Sequence, residues 1–216
     1  MSLILSGTDG LSDVDGSAAT PAIRGTDANT GIFFGTDIIG FSEGGVEAMR
    51  INASGNVVMT GTLTTAAQSI AKASLPTGSV LQVVNGTYST AASNSTSTYA
   101  DTGLTASITP SSATSKILVV VHQADPYKSV TNTGSGVNIK LVRGATDIVT
   151  FGLANCYTGT AMQNNGTTIS TSFLDSPATT SSTTYKTQFA NFTNAAAVGL
   201  QASGGTSTIT LMEIAA

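Results

Sequence analysis

Charge is what this sequence has least of. Lys, Arg, Asp and Glu together make up 9% of its 216 residues, against roughly 25% in an average soluble chain. Disorder driven by charge repulsion is therefore not expected. The same scarcity leaves a single copy exposed to self-association, because charge is what keeps surfaces apart. An oligomer that hides much of the surface removes that problem. The basic residues stand singly, at Arg24, Arg50, Lys72, Lys116, Lys128, Lys140, Arg143 and Lys186. They form no stripe, so no nucleic-acid partner is expected. One cysteine, Cys156, excludes an internal disulfide and a cysteine-based zinc cluster. No apolar run reaches the ~20 residues of a membrane helix, so no membrane insertion is expected. The start, Met1 to Gly7, lacks the basic region and the apolar length of a signal peptide.

Thr, Ser, Gly, Asn and Ala take the place of charge. Thr suits strands, and Gly, Ser and Asn suit turns. Residues 1–65 show no helical period. Glycine recurs every few residues, and between glycines lie apolar pieces such as Ile32-Phe33-Phe34 and Ile38-Ile39. Strands this short, with about a dozen large apolar side chains among them, do not offset roughly 1–2 kcal/mol of backbone ordering per residue. Several copies wrapped round a common axis would share one core. Met49-Arg50-Ile51 and Val57-Val58-Met59 flank a Gly-containing loop and predict a hairpin. Residues 66–73 are the one helix-friendly stretch, and 66–78 is expected to be a neck ending at Pro76-Thr77-Gly78.

Residues 79–216 read as a head of eight or nine strands. Lys116 to His122 is apolar on both faces, which predicts a central strand covered on both sides. Further strands are expected around Val80–Val84, Leu104–Ile108, Val137–Leu141, Ile148–Phe151, Ile169–Leu174, Tyr185–Ala190, Val198–Ala202 and Ser207–Ile214. The fold class expected is all-β: a glycine-rich, intertwined trimeric β-stalk followed by a C-terminal jelly-roll-like β-sandwich head.

No stretch carries a catalytic motif, and no cofactor or metal is expected. His122, the single histidine, is expected as a packed or pore-lining residue; the sharper alternative is a metal on a trimer axis. Cys156 has no base beside it in sequence. Asp9, Asp13 and Asp15 resemble part of a calcium loop without its bidentate Glu. Glu213 shares a strand face with Ile209 and Leu211 and is expected at a strand end, facing water or a neighbouring chain. A glycosidase needs two facing carboxylates, and no spacing proposes a pair. The loops 125–136 and 156–168 are polar and variable in style. Receptor contact is placed there, at Tyr127, Asn132, Tyr157, Asn164 and Asn165, with tyrosine rings against the apolar faces of sugars.

The segments Asp27-Ala-Asn-Thr-Gly-Ile-Phe33, Glu47-Ala-Met-Arg-Ile51 and Gly55-Asn56-Val57, in that order, resemble a stretch that recurs in tail-fibre and other appendage proteins of bacteriophages. The resemblance covers most of residues 18–60. The head is similar to C-terminal domains on such appendages. The resemblance implies a homotrimer, assembled in the host cytoplasm and exposed on the virion. Its N-terminal residues would bind other virion proteins of the tail or capsid. Its head would bind a host-surface glycan or protein. A non-enzymatic tail fibre is the expectation, with a capsid head fibre or decoration protein and a polysaccharide depolymerase as alternatives.

Overall fold

The computed structural model describes residues 4–6, 10–12, 15–61, 72, 75–129, 131, 134–164, 167–193 and 196–216. The chain divides into two compact units, 1–69 and 70–216. The described residues are all-β, in several antiparallel sheets, with no α-helix among them. The helix-friendly stretch 66–73 lies outside the described residues except for Lys72.

In the first unit, β1 (Ile4–Ser6) and β2 (Gly10–Ser12) pair as a ribbon. A meander follows in sequence order: β3 (Ile23–Arg24), β4 (Gly31–Gly35), β5 (Ile38–Glu43), β6 (Val46–Ile51) and β7 (Val57–Met59). Gly44 and Gly45, at φ 59° and 82°, make the two-residue turn between β5 and β6, where both central residues need positive φ. The expected hairpin is present, with Ile51 opposite Val57. Asn52 Oδ1 accepts from the Ser54 and Asn56 amides at 3.0 and 3.1 Å and shapes its loop.

The register sorts this meander into two unlike faces. Ile23, Ile32, Phe41, Met49 and Met59 form one row straight across the five strands. Phe34, Ile39, Ile51 and Val57 form the next row on the same side. None of these nine side chains is buried, and Val57 is 60% exposed. The opposite face carries Phe33, the one buried large apolar side chain described in this unit. Its ring lies flat over Gly40, where an added Cβ would sit 2.2 Å from Cζ. Arg50 pairs with Glu47 at 2.6 Å on that side. That side also carries Ile38 and Val58, both half-buried, so it is mixed, while the side with the two apolar rows is the open one.

The second unit holds two larger sheets. One has the order β16 (Thr168–Asp175), β11 (Lys116–Ala124), β19 (Ser207–Ile214), β8 (Val80–Tyr88). The other has β10 (Ala100–Ile108), β17 (Thr183–Asn191), β13 (Ser135–Arg143), β14 (Thr146–Thr158). Their inner faces meet as a β-sandwich. Leu104, Ile108, Leu141 and Tyr185 from one sheet pack against Ile117, Val119, Val121, Ile209 and Leu211 from the other. A second cluster, Val137, Ile139, Ile169, Phe189, Val198 and Leu200, fills the sandwich elsewhere. Buried polar groups also bridge the two sheets. Thr187 Oγ1 donates to Gln123 Oε1 at 2.9 Å and also bonds Thr102, and Gln123 Nε2 donates to Ser207 Oγ at 2.8 Å. Such a satisfied chain fixes how the sheets are set on each other.

Two expectations are corrected here. β11 is central, but only its inner face is covered: Val119 and Val121 are fully buried while Val120 is 37% exposed. Of the two places expected for His122, packed or pore-lining, the first is corrected: it is exposed in one chain, with its Nδ1 3.4 Å from Ser170 Oγ. The reason is the same for both. In one chain the sandwich supplies a second layer on one side of β11 only.

Candidate functional site

Six connections cross between the two sheets, and four of them contribute one short strand each. β9 (Ala92–Asn94), β12 (Tyr127–Lys128), β15 (Gln163–Asn164) and β18 (Val198–Leu200) pair in the order β15-β12-β18-β9. This small sheet closes one end of the sandwich, because β8, β11, β14 and β17 all run toward that end. Val198 and Leu200 plug it into the second apolar cluster. At the other end Gly78 and Ser79 pair with Ala215, so the chain enters the head opposite the small sheet.

The expected receptor residues gather at the closed end as far as they are described. Tyr127 stands opposite Asn164 in the ladder. Asn132 and Asn165 lie outside the described residues. Tyr127 is half-buried, with its ring flat against Gly199; a Cβ there would lie 2.4 Å from the ring and 2.4 Å from the Ala92 carbonyl oxygen. Tyr127 is therefore committed to holding β12 on β18. Tyr157, the penultimate residue of β14, is by contrast 52% exposed.

Tyr157 does not stand alone. Phe192, 49% exposed, meets it edge to face with ring centroids 6.1 Å apart at 87°. Such pairing suits the ring quadrupoles, and two exposed rings at right angles form an apolar corner. Sequence reading did not single out Phe192, because Asn191-Phe192-Thr193 looks like an ordinary polar loop.

The supports of this corner are specific. Ala154 and Cys156 take left-handed φ of 50° and 55°, and the β13–β14 register slips there. Asn138 Oδ1 accepts from the Ala154 amide at 2.9 Å, occupying a backbone donor that the bulge frees. Cys156 Sγ lies 3.1 Å from the Pro126 carbonyl, and burial pushes its thiol up from the ordinary value. The thiolate that a nucleophile needs is thereby disfavoured. Phe192 is held by its own amide, which donates to the Gly136 carbonyl at 2.9 Å. Beside it the buried Asn191 side chain bonds Ser135 and the Ala196 carbonyl.

Lys128 pins the end of β14 from below. It is 1% exposed, and its Nζ donates to the Thr158 carbonyl at 2.8 Å, Thr158 Oγ1 at 3.1 Å and the Gly159 carbonyl at 3.2 Å. All three acceptors are neutral oxygens. Lys128→Ala is expected to destabilise the head by about 2–4 kcal/mol, through lost charge-assisted bonds and a cavity. Urea melts followed by circular dichroism check this.

The two buried carboxylates of the head, Glu213 and Asp175, are engaged elsewhere. Glu213 is fully buried, which corrects the expectation that it faces water or a neighbour. It accepts from the Ser111 amide at 2.7 Å, Ser111 Oγ at 2.6 Å and Gln82 Nε2 at 2.5 Å. Burial pushes its carboxyl up, and these donors with Ser115 more than offset that, holding it down to about 2. Asp175 takes Arg143 Nη1 and Tyr185 OH, both at 2.6 Å. Burial, then Asp175, pushes the Tyr185 phenol well up. Asp9 and Asp13 lie outside the described residues. No family model matches the chain, and no curated protein matches it.

Proposed function

We propose that this chain is the subunit of a trimeric virion fibre of a bacteriophage, a tail fibre that attaches the particle to its host. One observation carries the reading: the open apolar face of the five-stranded meander. Nine apolar side chains in two rows, none of them buried, need a cover that one copy does not supply. Three copies turned inward cover one another, which gives the intertwined stalk. The ordered motifs between Asp27 and Val57, with their resemblance to phage appendages, favour this setting over other oligomers. The head is read as a jelly roll. The sheet orders β8-β19-β11-β16 and β10-β17-β13-β14, with six connections crossing between the sheets, favour it.

Attachment uses the closed end of the head. Tyr157 and Phe192 supply an apolar corner for a sugar face, and the hydroxyl- and amide-rich connections supply hydrogen bonds. A weak contact made by three heads at once gains by avidity, often by 10²–10⁴-fold. The double substitution Tyr157→Ala and Phe192→Ala is expected to abolish adsorption of the particle while leaving the melting of the head nearly unchanged, since both rings are half-exposed. Adsorption measured on host cells at matched particle number tests it. Undiminished adsorption by the doubly substituted particle would refute attachment through this end.

A further inference from the structure

The outer face of the sheet β16-β11-β19-β8 is unlike the rest of the head surface. By register, Leu174, Leu118, Met212 and Val83 form one row across all four strands. Val120 sits one pleat further along the same face. Val83, Leu174 and Val120 are 57%, 49% and 37% exposed. Beyond them the face carries Ile214, Asn85, hydroxyls and His122, and Lys116 is its one Lys or Arg; no carboxylate lies on it. The outer face of the other sheet is the reverse. There Lys186 pairs with Asp101 and Lys140 with Asp147, at 2.9 and 2.8 Å. One side of the sandwich thus carries paired charges and the other almost no charge.

β11 adds a second observation. Its sequence, Lys116-Ile-Leu-Val-Val-Val-His122, is that of a strand covered on both sides, yet the single chain covers one. We propose that the missing layer is supplied by the heads of the sister copies, so that the three heads pack together through this face around a common axis. The proposal rests on the fibre reading above and deepens it. A charged partner would find no counter-charge here beyond Lys116, whereas a second copy brings an equally neutral surface. Size agrees as well. Four strands of eight or nine residues span about 20 by 28 Å, so three such faces turned toward a common three-fold axis offer roughly 1,700 Å² between them, within the range of a specific interface. The same three copies that cover the meander are already present to do it.

Hydroxyl-radical footprinting of the full chain, read by peptide mass spectrometry beside sedimentation of the same sample, tests the proposal. Leu153 on β14 is 69% exposed and Leu174 is 49% exposed, so in an isolated head the two leucines would react at comparable rates. The expected result is a trimer in which Leu174, Val83 and Val120 react several-fold more slowly than Leu153. Val120→Glu should restore the reactivity of Leu174 while the meander keeps the mass trimeric. A trimer in which Leu174 reacts as fast as Leu153 overturns this interface and leaves the fibre reading standing. A monomer overturns both.

Discussion

Phe41→Asp in the full chain is expected to abolish the trimer and leave residues 31–59 without amide protection. Phe41 lies mid-row on the open apolar face, opposite Ile32 on one side and Met49 on the other. In an assembled stalk each copy would lose roughly 1.5–3 kcal/mol of burial. Each would also carry a carboxylate into an apolar axis, where an unpaired charge costs several kcal/mol more. Three copies multiply both terms, and the sum exceeds what a small sheet holds in reserve. Thr36→Asp, in the exposed β4–β5 turn, adds the same charge and should leave mass and protection unchanged. Sedimentation and hydrogen exchange read the two outcomes.

Glu213→Gln is expected to destabilise the head by about 2–3 kcal/mol at pH 7, because a buried carboxylate with charge-assisted donors is replaced by a neutral amide. The variant should also lose most of the acid sensitivity of the parent. The folded carboxyl is held down to about 2, against an ordinary 4.5. A group depressed in the folded state contributes stability above its unfolded value, and that contribution falls away as pH drops from 4.5 toward 2. The parent head should therefore lose stability across that window, and Glu213→Gln should lose much less. Asp101 is lowered too, by Lys186 and Gln188 against its own burial, but it is exposed and its pair is screened by solvent. Urea midpoints at pH 7, 5, 4 and 3 check the prediction. Parallel curves for parent and variant would contradict it.

Much of the strand content was legible because period-two alternation survives in this chain. Leu104-Thr-Ala-Ser-Ile108 alternates in sequence, and Leu104, Ala106 and Ile108 are buried while Thr105 and Ser107 are exposed. The hairpin at Asn52 to Asn56 was legible from its loop residues. The small sheet was not. Ala92–Asn94, Tyr127–Lys128 and Gln163–Asn164 are two or three residues long, too short for any period to show, and they exist because three other connections meet them. Glycine misled in a second way. Gly40 read as punctuation, yet it sits inside β5 beneath the ring of Phe33, as Gly103 and Gly199 sit inside strands beneath Tyr88 and Tyr127. A residue chosen to leave room for a ring looks, in sequence, like a residue chosen to turn.

The candidate site was half legible for the same reason. Tyr157 announced itself as an aromatic in a polar loop region. Phe192 and Lys128 did not, since what makes them matter is a ring 6.1 Å away and three oxygens brought by another strand. Glu213 was misplaced because a carboxylate near a strand end is usually wet. Here the Ser111 loop folds over it and supplies donors from a hundred residues away in sequence.

Equilibrium sedimentation of the purified full chain is the most direct measurement of whether sister copies complete the leading unit. Three times the 21.6 kDa of one chain, stable on dilution, is the predicted mass. A 21.6 kDa particle with residues 31–59 fully protected from exchange would contradict the account.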